Sequence, residues 1–194
     1  MSDTSINLKT LQRQHHQLAD ASAQVSILQD DEHLYKLIPF QQKLEESGLY
    51  PLVSTGIEVF QVNVGKMCNQ VCKHCHVDAG PDRKEIMTKE TMQQCLNALR
   101  KNPLLRTVDL TGGAPEMNPH FRWFVEEIKK LGRHVIVRCN LTIIRANKKY
   151  YDLPQFYGQY GIEVVSSLPF IRQTERIGKE EMVCLKTALK HFNC

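Results

Sequence analysis

Ile57-Glu-Val-Phe-Gln-Val-Asn-Val64 is followed at once by Gly65-Lys-Met-Cys68-Asn-Gln-Val-Cys72-Lys-His-Cys75. The first run is β-branched and aromatic, with enough alternation to predict a strand. The second places three of the seven cysteines within eight residues. Downstream, Met92, Leu96 and Leu99 mark a helix over Lys89–Arg100, stopped near Asn102-Pro103. Leu105–Leu110 reads as a second strand ending in Thr111-Gly112-Gly113. Asn118-Pro119 looks like a helix N-cap followed by proline at the first helical position. Phe121, Val125, Ile128 and Leu131 give that helix a buried face, and Gly132 closes it. His134–Cys139 predicts a third strand and Gly161–Leu168 a fourth, with a short helix from Leu153-Pro154 to Tyr160 between them. Met182, Leu185, Leu189 and Phe192 space a final helix.

Strands that alternate with helices predict an α/β fold of parallel strands joined by right-handed crossovers. In such folds ligands bind at the carboxyl ends of the strands, where the following loops converge. The cysteine loop, Gly112-Gly113, Asn140 and Ser166-Ser167 all stand at those ends. Upstream, residues 1–45 form an N-terminal extension. It is Gln- and Asp-rich over residues 1–34, with Leu8, Leu11, Leu18 and Val25 spaced for a marginal amphipathic helix. Residues 46–194 form the main domain.

Composition narrows the function classes. The chain has 194 residues, 42% hydrophobic and 24% charged, which excludes wholesale disorder. With 25 Lys and Arg against 21 Asp and Glu, the net charge of +4 is too small to imply nucleic acid. Uninterrupted apolar runs such as Val135–Val137 fall far short of the ~20 residues of a membrane span. The N-terminus has no basic-then-apolar design, and its acidic residues argue against a transit peptide. A cytoplasmic chain with no membrane or nucleic-acid partner is the expectation. Seven cysteines without an export signal do not describe a disulfide framework, so the clustered ones read as a metal or redox site. Cys95, Cys139 and Cys184 read as small buried hydrophobes.

Cys68-Asn-Gln-Val-Cys72-Lys-His-Cys75 is a C-x₃-C-x₂-C triplet. Three thiolates on one short loop can each take a corner iron of a 4Fe–4S cube, leaving the fourth iron open to an outside ligand. The competing chemistry is zinc held by the same cysteines with His74, His76 or Asp78. His76 and Asp78 are near enough in sequence to meet a substrate or the metal's outer shell.

A C-x₃-C-x₂-C loop directly after a first strand, with a glycine pair after the next, resembles the radical S-adenosylmethionine superfamily. The resemblance implies a partial (β/α) barrel of that type, incomplete at the C-terminus here. It also implies that the open iron of a 4Fe–4S cluster chelates S-adenosyl-L-methionine, whose C–S bond is then broken to release a 5′-deoxyadenosyl radical. By the same resemblance Cys68, Cys72 and Cys75 ligate the cluster. Gly112 and Gly113 seat the methionine amino group, Asn140 stands near the ribose, Ser167 contacts the cofactor, and His74 packs against adenine. The superfamily's Gly-Gly-Glu motif has Ala114 in third place here, with Glu116 two residues on. Glu116 then either substitutes for the glutamate or sits at the positive end of the next helix.

Longer strings are similar to the arsenosugar-biosynthesis radical S-adenosylmethionine family. They are Phe60-Gln-Val-Asn-Val-Gly-Lys-Met-Cys-Asn-Gln-Val-Cys-Lys-His-Cys-His-Val-Asp-Ala-Gly-Pro81, Asp109-Leu-Thr-Gly-Gly-Ala-Pro-Glu116, Arg138-Cys-Asn-Leu-Thr142 and Val164 to Pro169. This likeness implies transfer of the 5′-deoxyadenosyl group to trivalent dimethylarsenic, with an electron donor such as a flavodoxin or ferredoxin. The family continues into a Cys-rich C-terminal domain, so the expectation is a truncated or alternatively spliced product. The rival expectation is an inactive iron–sulfur or zinc-binding fragment acting as an interaction module.

Overall fold

The computed structural model describes residues 10–29, 37–72 and 75–166. His74, Ser167, Cys184, Cys194 and the final helix expected around Met182–Phe192 lie outside the described residues. The chain divides into two units, residues 11–57 and the remainder.

In the smaller unit, α1 (Ala21–Leu28) follows a 3₁₀ turn at Gln17–Ala19 and is capped by the Asp20 carboxylate, which accepts from the Ala23 amide. α1 buries no residue, so the weak apolar stripe read from the sequence gives only a surface helix. A second helix, α2 (Phe40–Glu46), escaped the sequence reading. It too buries nothing, and its regularity comes from same-face pairs: Gln41 with Glu45, Gln42 with Glu46 and Lys43 with Glu46.

The larger unit is a β/α succession: β1 (Val59–Asn63), α3 (Lys89–Lys101), β2 (Thr107–Thr111), α4 (Phe121–Lys130), β3 (His134–Arg138), α5 (Ile143–Ala146), α6 (Leu153–Tyr160) and β4 (Glu163–Val165). The four strands lie in the order β1-β2-β3-β4, every neighbouring pair parallel. This is the expected α/β arrangement, a four-strand piece of a (β/α) barrel. Because the order is consecutive, every strand's carboxyl end opens on the same rim and the next loop lands beside the last.

Alternate strand positions point to opposite faces. Val62, Val108, Leu110, Val135 and Val137 are buried with Met92, Leu96 and Leu99 of α3 and Phe121, Phe124, Val125 and Ile128 of α4. The other face carries Gln61, Asn63, Asp109, Thr111 and Arg138, a polar set that an apolar barrel core would not use. α3 begins where Thr88 accepts from the Thr91 amide. α4 begins at Phe121, two residues beyond the expected first helical position, Pro119. Asn118 still caps the turn that leads into it, its side-chain oxygen accepting from the His120 N–H at 2.9 Å, and its buried amide nitrogen also donates to the Val64 and Met87 carbonyls at 3.0 Å each. Gly132, at φ +70°, ends α4 as expected. Among the described residues no helix is long and apolar enough to cross a membrane.

Candidate functional site

The chain leaving β1 does not wander. The Asn63 side chain accepts from the Gly65 amide at 3.0 Å, and Gly65 turns at φ +142°. A Cβ at Gly65 would stand 2.6 Å from the Glu85 carbonyl oxygen, so only glycine allows the two backbones to come this close. Lys66 N–H donates to Glu85 at 2.8 Å, Gly80 N–H to Lys66 at 3.0 Å, Cys68 N–H to Gly80 at 3.2 Å and Met87 N–H to Val64 at 2.9 Å. These bonds zip residues 64–68 against 80–87, so the cysteine segment is the closed end of a loop tied at its base. Within it, Cys75 N–H donates to Cys72 at 3.0 Å and Asp78 N–H to Cys75 at 3.1 Å.

The glycine pair at the end of β2 holds this loop from the other side. Gly113 N–H donates to the Gly65 carbonyl at 3.0 Å and Ala114 N–H to Met67 at 2.9 Å. A Cβ on Gly113 would collide with the Met67 carbonyl and lie 2.9 Å from Cys68 Cβ; one on Gly112, at φ +147°, would lie 2.6 Å from the Gly65 oxygen. The close approach that the glycines permit is therefore to the cysteine loop itself. The end of β3 supplies a third restraint. Asn140 Nδ2 lies 3.5 Å from Cys68 Sγ and 2.9 Å from Asn69 Oδ1, while its own oxygen accepts from Ile143 N–H at 3.0 Å. Asn69 in turn donates to Thr142 at 2.8 Å.

The three thiols differ in burial and in what their sulfurs touch. Cys68 is buried, and Cys72 and Cys75 are half-buried. Cys68 Sγ accepts from the Gln70 amide at 3.4 Å, and Cys75 Sγ from the Ala79 amide at 3.3 Å. Amide donors aimed at sulfur stabilise thiolate and are among the groups that tune iron–sulfur centres. Burial pushes the Cys68 pKa up; the Gln70 and Asn140 donors oppose this, and the nearby Cys72 and Cys75 add to it. Three sulfur donors on one partly buried loop are the soft ligand set that an iron–sulfur cluster or a zinc ion takes. Among the described residues no three His, Cys, Asp or Glu side chains already converge as a metal cage. Asp78, in the left-handed region at φ +49°, is paired with buried Arg83 at 3.2 Å, so it braces the loop. His76 is exposed and lines a neighbouring cavity.

That cavity, about 290 Å³, is lined by Gln61, Asn63, His76, Thr111 and Arg138. Its floor is a bonded trio. Arg138 Nε donates to both Asp109 oxygens at 3.0 Å, its Nη2 to Oδ2 at 2.8 Å, and Gln61 Nε2 to the same Oδ2 at 2.9 Å. Burial pushes the Asp109 pKa up, but the hydrogen bonds from Arg138 and Gln61 and the guanidinium charge outweigh it, so the carboxyl stays ionised. The sequence reading missed this trio. The signal was available in Gln61/Asn63, Asp109/Thr111 and Arg138/Asn140, polar residues two apart on strands that otherwise read as apolar.

Glu116 does not join the rim. It is buried under it, with Oε1 accepting from the Tyr157 hydroxyl at 2.6 Å and Oε2 without a partner. Burial pushes its pKa up, against the hydrogen bond from Tyr157 and the nearby Cys139. Neither expectation for Glu116 describes this place: it is a buried carboxyl in the core whose pKa burial raises. Cys139 is buried and Cys95 half-buried, and burial raises both pKa values, as suits inert packing thiols.

Comparison with known protein families matches residues 62–180 to the Radical SAM superfamily. That span runs from within β1, through the cysteine loop and the glycine strap, to beyond β4. No curated protein matches the chain.

Proposed function

This chain belongs to the radical SAM superfamily, and on that premise we propose that Cys68, Cys72 and Cys75 hold a 4Fe–4S cluster serving the reductive cleavage of S-adenosylmethionine. The observation that carries the reading is the cysteine loop, tied at its base and strapped by Gly113 and Ala114, with amide donors on Cys68 and Cys75. When bound, the cluster supplies the electron that breaks the sulfonium C–S bond, and a flavodoxin or ferredoxin is the class of donor that would refill it. The chain's own contribution is placement. The zipped base fixes where the three sulfurs can reach. Asn140 spans from the end of β3 to Cys68 and Asn69, holding that strand end to the loop. Gly112, Gly113 and Asn140, with His74 and Ser167, are the residues assigned to the seat of the cofactor.

The acceptor is trivalent dimethylarsenic, joined through a new carbon–arsenic bond to the 5′-deoxyadenosyl group in arsenosugar biosynthesis. The support for this finer reading is the likeness of residues 60–81, 109–116 and 138–142 to that family.

Anaerobic reconstitution with iron and sulfide tests the cluster. The expected product is brown, with broad sulfur-to-iron absorption, and Cys72→Ala loses it. A tetrahedral zinc ion, or an intact cluster in Cys72→Ala, overturns the assignment. Under reducing conditions the loaded protein is expected to yield 5′-deoxyadenosine. A loaded protein that yields none is the interaction module instead. Dimethylarsenic added to the assay should divert the nucleoside into an arsenical adduct, and an unchanged product removes arsenic as the acceptor.

A further inference from the structure

The cavity beside the cysteine loop holds hydrogen-bond donors for which the placement of the cysteines has no use. Arg138 binds Asp109 side-on through Nε and Nη2, and this fixes the guanidinium plane. Its Nη1 makes no hydrogen bond among the described residues, although the side chain is half-exposed and lines the cavity. Asn63 spends its oxygen on the Gly65 amide, so what it has left to offer is its NH₂ group. Thr111 and His76 complete the lining with a hydroxyl and an imidazole. Asp109 is only 3% exposed and its oxygens are committed to Arg138 and Gln61. The donors therefore face the cavity while the one acid behind them is screened.

We propose that this cavity is a subsite for an oxygen anion, a carboxylate or a phosphate, on the radical acceptor, with Arg138 as its principal anchor. A pre-oriented guanidinium suits oxyanions because its N–H edge matches their geometry and its charge strengthens each bond. The lining holds no thiol, so it suits hard oxygen rather than soft arsenic. Trivalent dimethylarsenic by itself has no such anion, so the acceptor is that group on an anion-bearing carrier, with the arsenic toward the cysteine loop, where His76 follows Cys75, and the carrier's anion on Arg138. The inference rests on the reading of that loop as the reacting end.

The test is calorimetric titration of inorganic phosphate and of acetate into the full chain at constant ionic strength, with chloride as the control. It needs no cluster, so its failure leaves the cluster assignment standing, and loss of the cluster assignment leaves its result readable. Saturable binding of one probe beyond chloride is expected, and the tighter probe identifies the anion. Arg138→Gln should weaken it about tenfold to a hundredfold, the range for a charge-assisted hydrogen bond. Because Arg138→Gln leaves Asp109 buried without its cation, the double variant Asp109→Asn/Arg138→Gln is measured beside it and should lose binding equally. No binding beyond chloride, or binding unchanged in either variant, overturns the proposal. So does an equal loss of S-adenosylmethionine affinity in the reconstituted Arg138→Gln protein, which would assign the guanidinium to the cofactor's own carboxylate.

Discussion

Replacing Gly113 by alanine probes whether the strap from β2 shapes the cysteine loop. Gly113 is not among the glycines with positive φ, so alanine meets no backbone penalty there and the effect is one of space. The new methyl would run into the Met67 carbonyl and come within 2.9 Å of Cys68 Cβ. Both obstacles belong to a loop held by its own bonds, so neither swings aside as a side chain would. Relief requires the loop to move, and that stretches Gly113 N–H to Gly65 and Ala114 N–H to Met67. Two hydrogen bonds at about 1 kcal/mol each, together with about 1–3 kcal/mol of overpacking, give a loss of roughly 3–5 kcal/mol. For a chain of this length each kcal/mol lowers Tm by about 2–4 °C, so the melt should fall by roughly 6–20 °C. Gly132→Ala is the control. Its Cβ meets nothing within 4 Å, so only the positive φ is charged against it, about 1–2 kcal/mol. The assay is thermal unfolding of both variants with iron content after reconstitution. Gly113→Ala should lose more stability than Gly132→Ala and alone lose iron. Equal melts for wild type and Gly113→Ala, with iron retained, would refute the strap.

Three further outcomes follow from other contacts. Asn118→Ala removes the donors to Val64 and Met87 and the acceptor for His120, and should cost about 2–4 kcal/mol in urea unfolding. Leu96→Ala leaves a cavity between α3 and the sheet at a fully buried position, and the same measurement should show about 2–5 kcal/mol. Glu116 carries a raised pKa, so the native state holds its proton more tightly than the unfolded chain. That contribution is complete below the ordinary value of 4.5 and is lost as pH climbs through the raised one. Glu116→Gln should flatten this loss in stability measured against pH, and an unchanged profile would place the titration elsewhere.

The strands and the longer helices were legible because burial imposes a period on them. The expected helix over Lys89–Arg100 is α3, Lys89–Lys101, with Met92, Leu96 and Leu99 all buried. Leu153 to Tyr160 is α6. Expected strand ends overshoot, as at Ile57–Val64 for β1 and at Leu105 for β2, because apolar character continues past the last ladder bond. α2 was illegible, since a helix held by Gln–Glu and Lys–Glu pairs without a buried face leaves no apolar stripe to read. Asn118-Pro119 was legible in part. The side-chain oxygen caps the turn into α4 as an asparagine before a proline should, while its amide group is claimed by two carbonyls distant in sequence, which no local pattern shows. The three cysteines were legible from spacing, while the Gln61–Asp109–Arg138 trio is assembled across three strands and shows only when their register is known.

The strap has a consequence for the order of events during synthesis. The thiols leave the ribosome dozens of residues before Gly113 and Ala114, whose amides fix the backbone around Met67. Chains generally fold in the order they emerge. The nascent segment therefore passes through an interval in which its sulfurs are reactive but not yet positioned, open to stray metals and to oxidants. Loading after β2 has docked avoids that hazard, and a delivery system that waits for the paired strands would have a shape to recognise.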